Sequence, residues 1–421
     1  VSASQTITTS DLVNLFPKWL DPSHAISVQS SLRIEPAGTD SFHIALLPPP
    51  QSAADYLALS EPLDGEFNTI RAALKRPYTR MDGDYTQPYA IPIPNFVTMR
   101  ALAQTLADRA KCHLLLDDPA AALGDLTLLH DVCRVLEAKP TGKPMTLVAA
   151  MIDVAITGLY ANTIEDGFHL GAWHEPQLIA LQQQLAQTDL LPIITESFLD
   201  ERASTATSLE NGPPAEMFKQ MSKINGQNVH VLEMLKNPFF AFLFFAPRGW
   251  VYQNMVFGAR LLPAYESGNV AKHLVLPEIA ERGMQEFKAL SKWSPNSFLC
   301  GLSIPNFTKA WQTTAHNQTL VDQAQIACAL ERYRLAHGDY PGTLGALAPQ
   351  YIENIPHDII GGQPLRYRHS PDGSFLLYSI GWNEKDDGGL TAPDNEVGSG
   401  DWVWPAGQKH SAQIGGSAKK P

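Results

Sequence analysis

The chain has 421 residues, 44% of them hydrophobic and 18% charged, with a formal net charge of −12. That length suits two or three domains, and the apolar fraction supplies real cores and excludes general disorder. The acidic balance excludes a nucleic-acid partner, because phosphate binding needs a basic stripe, and it favours solubility and repulsion from anionic membrane surfaces.

Numbering begins at Val1 without a methionine, which leads us to expect a signal peptide, anchor or tag lost before it. Residues 1–95 read as a mixed segment packing on a helical domain. Pro48, Pro49 and Pro50 end a short element, and 53–74 forms one or two helices carrying Tyr56, Leu57, Leu59 and Leu63. Between Pro77 and Pro94 stand four prolines and Gly83, which predict an extended stretch.

Residues 96–305 read as a helical array. Met99, Leu102, Leu106 and Ala110 share one helix face, and Leu123, Leu126, His130 and Cys133 share another. Between them, Asp117-Asp118-Pro119 stops one helix and starts the next, with Asp118 as cap and Pro119 in the first turn. The pair resembles one tetratricopeptide-type hairpin, although no strict repeat of about 34 residues follows. Further helices are expected over 144–166, 175–187, 189–210, 250–265 and 276–291. The run from Phe239 to Ala246, bounded by Pro238 and Pro247, is far shorter than the roughly 20 residues of a bilayer span. It reads as a buried core segment rather than a surface that touches membrane or a partner, and no later segment is expected to span a bilayer.

Catalytic signatures are scarce. The sequence has no GxSxG elbow, HExxH, P-loop or dinucleotide fingerprint, and Cys300 to Pro305 reads as loop. Glu165, Asp166, His169, His174 and Glu175 gather two imidazoles and three carboxylates, the chemistry of zinc or acid–base work. The histidines are five apart across Gly171, however, so an inter-helix loop is the plainer expectation. Glu196, Asp200, Glu201 and Arg202 read as solvated charge or one buried pair, and His113 and His130 as core histidines. Cys112, Cys133, Cys300 and Cys328 form no CxxC and read as buried thiols, with a Cys300–Cys328 disulfide as the alternative in an oxidising compartment.

From Ala315 to His337 the pattern predicts one long helix, ended by Gly338 and barred from resuming by Pro341. A short helix at 344–347 follows, then strand-like runs at Gly361–Tyr367 and Gly373–Gly381 around a Pro371-Asp372-Gly373 turn. The phrases Tyr333–Pro341, Pro356–Tyr367, Phe375–Gly381 and Asp386–Trp402 stand in the order of the major pseudopilin of type II secretion systems. The stretch 315–404 therefore resembles that family's globular domain. Two departures accompany the likeness. The helix is internal and carries Asn317, Gln318, Asp322 and Gln325, and Asn383 stands where the family has its first loop aspartate. The resemblance implies calcium in the acidic loop, with Asn383, Asp386, Asp387 and Asp401 as ligands and Ser399 behind them. Seven acids against the single base Lys385 between Asp372 and Asp401 suit a hard cation, or merely a solvated loop. The whole chain also looks like envelope proteins of the Planctomycetes–Verrucomicrobia group, a likeness that brings no activity with it.

The expected fold class is therefore mainly α: a helical-hairpin array (96–305), then a small α+β pseudopilin-like domain (306–405) of one long helix plus antiparallel sheet, and a flexible tail (406–421). The expected function is that of a non-enzymatic extracytoplasmic scaffold or binding protein. It would be a subunit of an envelope or secretion-related assembly with protein partners in the periplasm or envelope, anchored through a segment lost before Val1. A hydrolase with a site between the array and the aromatic segment 239–254 is the alternative. A carrier using Phe242, Phe245 and Trp250 as an apolar pocket is the third reading.

Overall fold

The computed structural model describes residues 31–36, 42–47, 52–76, 93–137, 146–211, 236, 238–245, 247–261, 267–289, 294–297, 307–392 and 396–404. The 77–92 stretch, Cys300 and the 406–421 tail lie outside them. The described chain is mainly helical, with a small antiparallel sheet near its C-terminus.

Strands β1 (Ser31–Pro36) and β2 (Phe42–Leu47) pair antiparallel with Ser31 opposite Leu47. Helix α1 (Ala53–Ser60) starts where Ser52 Oγ accepts from the Asp55 amide, and α2 (Asp64–Leu74) follows through a single turn containing Pro62. Both lie on the hairpin of α3 (Ile93–Leu115) and α4 (Pro119–Glu137). The turn of that hairpin forms as expected. Asp117 takes the left-handed conformation at φ 60°, and Asp118 Oδ1 accepts from the Ala121 amide at 3.0 Å.

Helix α5 (Leu147–His169) begins at Thr146, whose side chain accepts from the Ala149 amide, and α6 (Glu175–Leu185) has Pro176 in its first turn. Helix α7 (Leu190–Asn211) is capped by Asp189, which accepts from the Leu191 amide at 3.1 Å. The short α8 (Pro238–Phe245) and α9 (Arg248–Leu261) are divided at Pro247. A two-residue hairpin of β3 (Gly268–Asn269) and β4 (Leu274–Val275) leads to α10 (Pro277–Lys288). At 23 residues and mean hydropathy 1.6, α5 has the length and composition of a bilayer span, contrary to expectation. Its most apolar window is nevertheless 67% buried, and it packs against α3, α4, α7 and a long C-terminal helix, which is the setting of a core helix.

That long helix, α11 (Phe307–His337), starts eight residues earlier than the sequence pattern predicts. The reason is tertiary. Trp311 stacks on Phe198 of α7 at 5.5 Å, and Phe307 meets the same ring edge-on at 4.8 Å, so this first turn is buried. Along α11 the polar residues that distinguish it from a membrane helix are the bonds to its neighbours. Asn317 donates to Val154 O at 2.7 Å, Gln318 accepts from the Leu190 amide at 2.9 Å, and Gln323 donates to Trp402 O at 2.7 Å. Near its end, Arg332 binds Glu175, Gln182 and Tyr351 O, all within 3.0 Å.

The sheet runs β5 (Arg366–His369), β6 (Phe375–Ser379), β7 (Trp402–Val403), antiparallel throughout, with Arg366 opposite Tyr378. A single apolar cluster extends from Leu63 of the first helices through Trp311 to Trp404. Helix α11 packs against α5, α6, α7 and α10 of the array as well as against β6.

One expectation is corrected here in part: Phe245, near the end of the aromatic run, is 76% exposed rather than buried. Cys112, Cys133 and Cys328 are buried thiols, as expected, and the alternative Cys300–Cys328 disulfide is not formed. Burial pushes the Cys112 thiol up to about 12 and holds the Cys328 thiol far above its ordinary value, which keeps both unreactive.

Candidate functional site

A cavity of about 380 Å³ opens between the end of α4, the first half of α5 and the start of α7. Its walls carry both signs of charge, Arg134 from α4 against Asp153 from α5 and Asp189 at the cap of α7, with the imidazole of His130 beside them. Tyr160 forms an apolar wall, its ring 5.6 Å from His130, while its hydroxyl donates to Gln184 Oε1 at 2.7 Å. His130 Nδ1 lies 3.3 Å from Asp131 Oδ1, and Arg134 donates to Leu74 O at 3.3 Å. Asp153 is buried to 1% exposure in α5. Charged groups of opposite sign around a concave space suit a small polar ligand.

One wall of the cleft leads to a second arrangement. Asp189 Oδ1 lies 3.6 Å from His273 Nδ1, and the other ring nitrogen lies 3.9 Å from Asp322 Oδ2, an ion-pair distance rather than a hydrogen bond. His273 reaches this position from the left-handed region, at φ 49°, in the tight β3–β4 turn that Asn269 closes by accepting from the Lys272 amide at 3.1 Å. Asp322 is inside α11, and its other oxygen accepts from Gln318 Nε2 at 3.1 Å. The facing Asp322 carboxylate, and after it the Asp189 charge, raise the imidazole above its ordinary value against the burial that lowers it. Burial raises Asp322, and His273 partly offsets this.

The C-terminal module holds the turn from the other side. His357 Nε2 lies 3.1 Å from His273 O, with the two rings 5.9 Å apart and nearly perpendicular. The Val275 amide donates to Ile359 O. Next to His357, the buried Asp358 accepts from the Ile360 and Ile380 amides and from Ser379 Oγ at 2.7–3.0 Å. An imidazole between two carboxylates can hold and move a proton, the elementary requirement of a general acid or base.

The residues singled out in the sequence are distributed differently. His169 pairs with Glu165, one turn back on α5, at 2.8 Å, and His174 stands at the start of α6. Burial raises the Glu165 carboxyl and His169 lowers it again. Glu201 is raised by burial, offset by a hydrogen bond from the backbone at Leu147. Neither His169 nor Glu201 lines the cleft.

In the acidic loop, Asp401 is 1% exposed and both its oxygens accept backbone amides, from Asp387 at 3.2 Å and Gly389 at 2.6 Å. Asp386 binds Tyr378 at 2.9 Å and Arg366 at 3.2 Å, and Asn383 donates to Asp387 at 3.0 Å. The four candidate ligands share one loop, but their oxygens are engaged by protein donors and do not form a cation cage. Among the described residues no group of three or more His, Cys, Asp or Glu side chains is arranged to hold a metal.

A further buried polar group, unread in the sequence, joins α1 to α4. Arg109 binds Asp125 at 3.2 Å, Ser60 at 2.7 Å and Asp64 at 2.9 Å, and Arg71 also reaches Asp125 at 3.2 Å. Here the charges satisfy one another, as a structural network requires.

His273 and Asp189 carried no signal of their own in the sequence. Asp322, one of the polar residues noted within the long helix, was the available hint. No family model, curated protein or solved structure matches this chain.

Proposed function

We propose that the chain is a non-enzymatic extracytoplasmic binding protein, a subunit of an envelope or secretion-related assembly. In this reading the helical array takes a polar ligand or partner side chain in the α4–α5–α7 cleft, and the C-terminal sheet is a pseudopilin-like head. The observation that supports it is the sharing of α11. Its bonds to Val154, Leu190 and Trp402 set array and sheet into one core, which holds a recognition surface rigid.

Cross-linking of the purified chain in envelope extract, with the linked peptides mapped, tests the reading. One reproducible partner linked near the cleft and lost in Asp189→Arg is the expected result. A chain that remains monomeric and acquires no specific link overturns it. Calcium belongs to the pseudopilin-like part of the proposal and requires Asp386 to leave Arg366. A melting midpoint that rises with calcium in metal-stripped protein, and not in Asp387→Ala, supports that part. An unchanged midpoint reduces the loop to solvated charge.

The hydrolase remains a second reading because His273 faces two carboxylates at the cleft edge. That location differs from the expected one beside segment 239–254. Turnover of an ester, amide or phosphodiester panel that His273→Gln lowers by roughly 100-fold or more would favour it. No turnover in the native chain would dismiss it.

A further inference from the structure

The β3–β4 turn is fastened at its base from two sides. On the array side, Gly268 lies so close to Trp311 of α11 that a side chain there would run into the indole, and Thr195 of α7 stands beside it. On the other side, the Val275 amide donates to Ile359 O at 2.9 Å, and Leu274 packs on Gly362.

The tip is held differently. Val270, Ala271 and Lys272 are exposed. Among the described residues, the tip's only ion pairs with the array are those of His273, to Asp189 at the cap of α7 and to Asp322 of α11. The left-handed backbone of His273, at φ 49°, is costly for a residue with a Cβ, and contacts of the ring must offset that cost. His357 of the C-terminal module adds its contact with the His273 carbonyl.

Charge keeps the ring in place. Asp322 is buried, and its Oδ2 has no hydrogen-bond partner among the described residues. The titratable groups around His273 are Asp189 on α7, Asp322 on α11 and His357 from the C-terminal module, with the exposed Lys272 beside it in the turn. A charged imidazole compensates the buried carboxylate. A neutral one leaves that charge uncompensated, which opening of the turn to water relieves.

We infer that the β3–β4 turn is a proton-operated latch: the protonated imidazole of His273 pins the turn to Asp189 and Asp322, tying the C-terminal module to the edge of the cleft, and loss of that proton releases it. Release leaves Asp189, which lines the cleft, without its cationic neighbour, so the cleft edge becomes more negative. The latch does not require the cleft to be a binding site.

Hydrogen exchange of the full chain, corrected for its intrinsic pH dependence, tests the latch at the His273, Val275 and Leu276 amides, which bond to Val270, Ile359 and Ser267. Their protection is expected to be constant below pH 6.5 and to fall above it by up to about tenfold per pH unit, the limit for release of one proton. The fall should level off at the pH where the His273 ring resonance titrates. In Asp322→Asn the ring should titrate lower and the fall should shrink with it. In His273→Gln/Asp322→Asn, which carries no titrating group at this contact, the fall should be absent. Native protection that is flat over the interval overturns the inference, as does a fall of native size in the double variant. So does an equal loss of protection in the β5–β6 ladder, since the whole module would then be unfolding.

Discussion

His169 and His273 both face carboxylates, and nearly everything else about the two settings differs. His169 meets Glu165 one helical turn away at 2.8 Å, on a face where it remains about a third exposed. His273 meets Asp189 and Asp322 at 3.6 and 3.9 Å, from three elements that are far apart in the chain, with Asp322 almost wholly buried. The shorter contact is the weaker site. The helix supplies the first pair's geometry without tertiary help, whereas the second exists only because three elements bring the buried Asp322 and the partly exposed Asp189 to one imidazole. Closeness in sequence located the pair of lesser consequence.

The largest expected effect separates the two directly. Asp322→Ala removes the buried partner of both His273 and Gln318 and is expected to lower the unfolding free energy by about 3 kcal/mol, measured in denaturant. A loss no greater than that of Glu165→Ala would erase the distinction.

Asp108 sharpens the comparison, because it is a buried carboxyl without an imidazole. Burial pushes it up to about 8, and the Gln104 amide at 3.0 Å only partly lowers it. The folded state therefore holds this proton more tightly than the unfolded chain. The associated stability is complete below the unfolded value of 3.8 and is lost as pH rises through about 8. Asp108→Asn should flatten that decline in the melting midpoint. A variant with the same slope as the native chain would show that Asp108 does not titrate in this way.

His273 should add a smaller slope of the same sign. Its folded value lies above the ordinary 6.5, so its contribution is complete below 6.5 and is lost as pH rises through the folded value. His273→Gln should remove this part, and the proton resonances of His273 should titrate lower in Asp322→Asn than in the native chain. An unmoved titration would deny the contact with Asp322. The smallest effect is expected for Glu165→Ala, under about 1 kcal/mol in the same denaturant measurement.

Much of the framework was legible. Asp118 and Pro119 marked the α3–α4 turn, and Gly338, at φ 85°, ends α11 where expected, its amide returning to Arg334 O at 2.7 Å. The β5 and β6 strands flank the Pro371–Gly373 turn as read. The failures share a cause. The run Phe239–Ala246 seemed a core segment because it is apolar, yet hydropathy does not tell whether another element covers a helix, and Phe245 is largely exposed. Conversely, α11 reaches back to Phe307 because Phe198 covers its first turn. The acidic loop is a different matter, since the Arg366 and Gly389 partners of Asp386 and Asp401 could not be read from its spacing.

The amino-acid sequence by itself determined helix boundaries such as Asp118–Pro119 and Gly338, since caps, prolines and left-handed glycines act through the backbone of the next few residues. It also determined that Asn317, Gln318 and Gln323 interrupt the apolar faces of the last helix. Only the tertiary structure decided that these three bind α5, α7 and β7, that Asp322 is buried opposite His273, and that the aromatic face of α8 and α9 meets solvent. The physical reason is range. Local conformation is set within one helical turn, whereas burial, and with it the cost of a charge, is set by whichever distant element comes to lie on top.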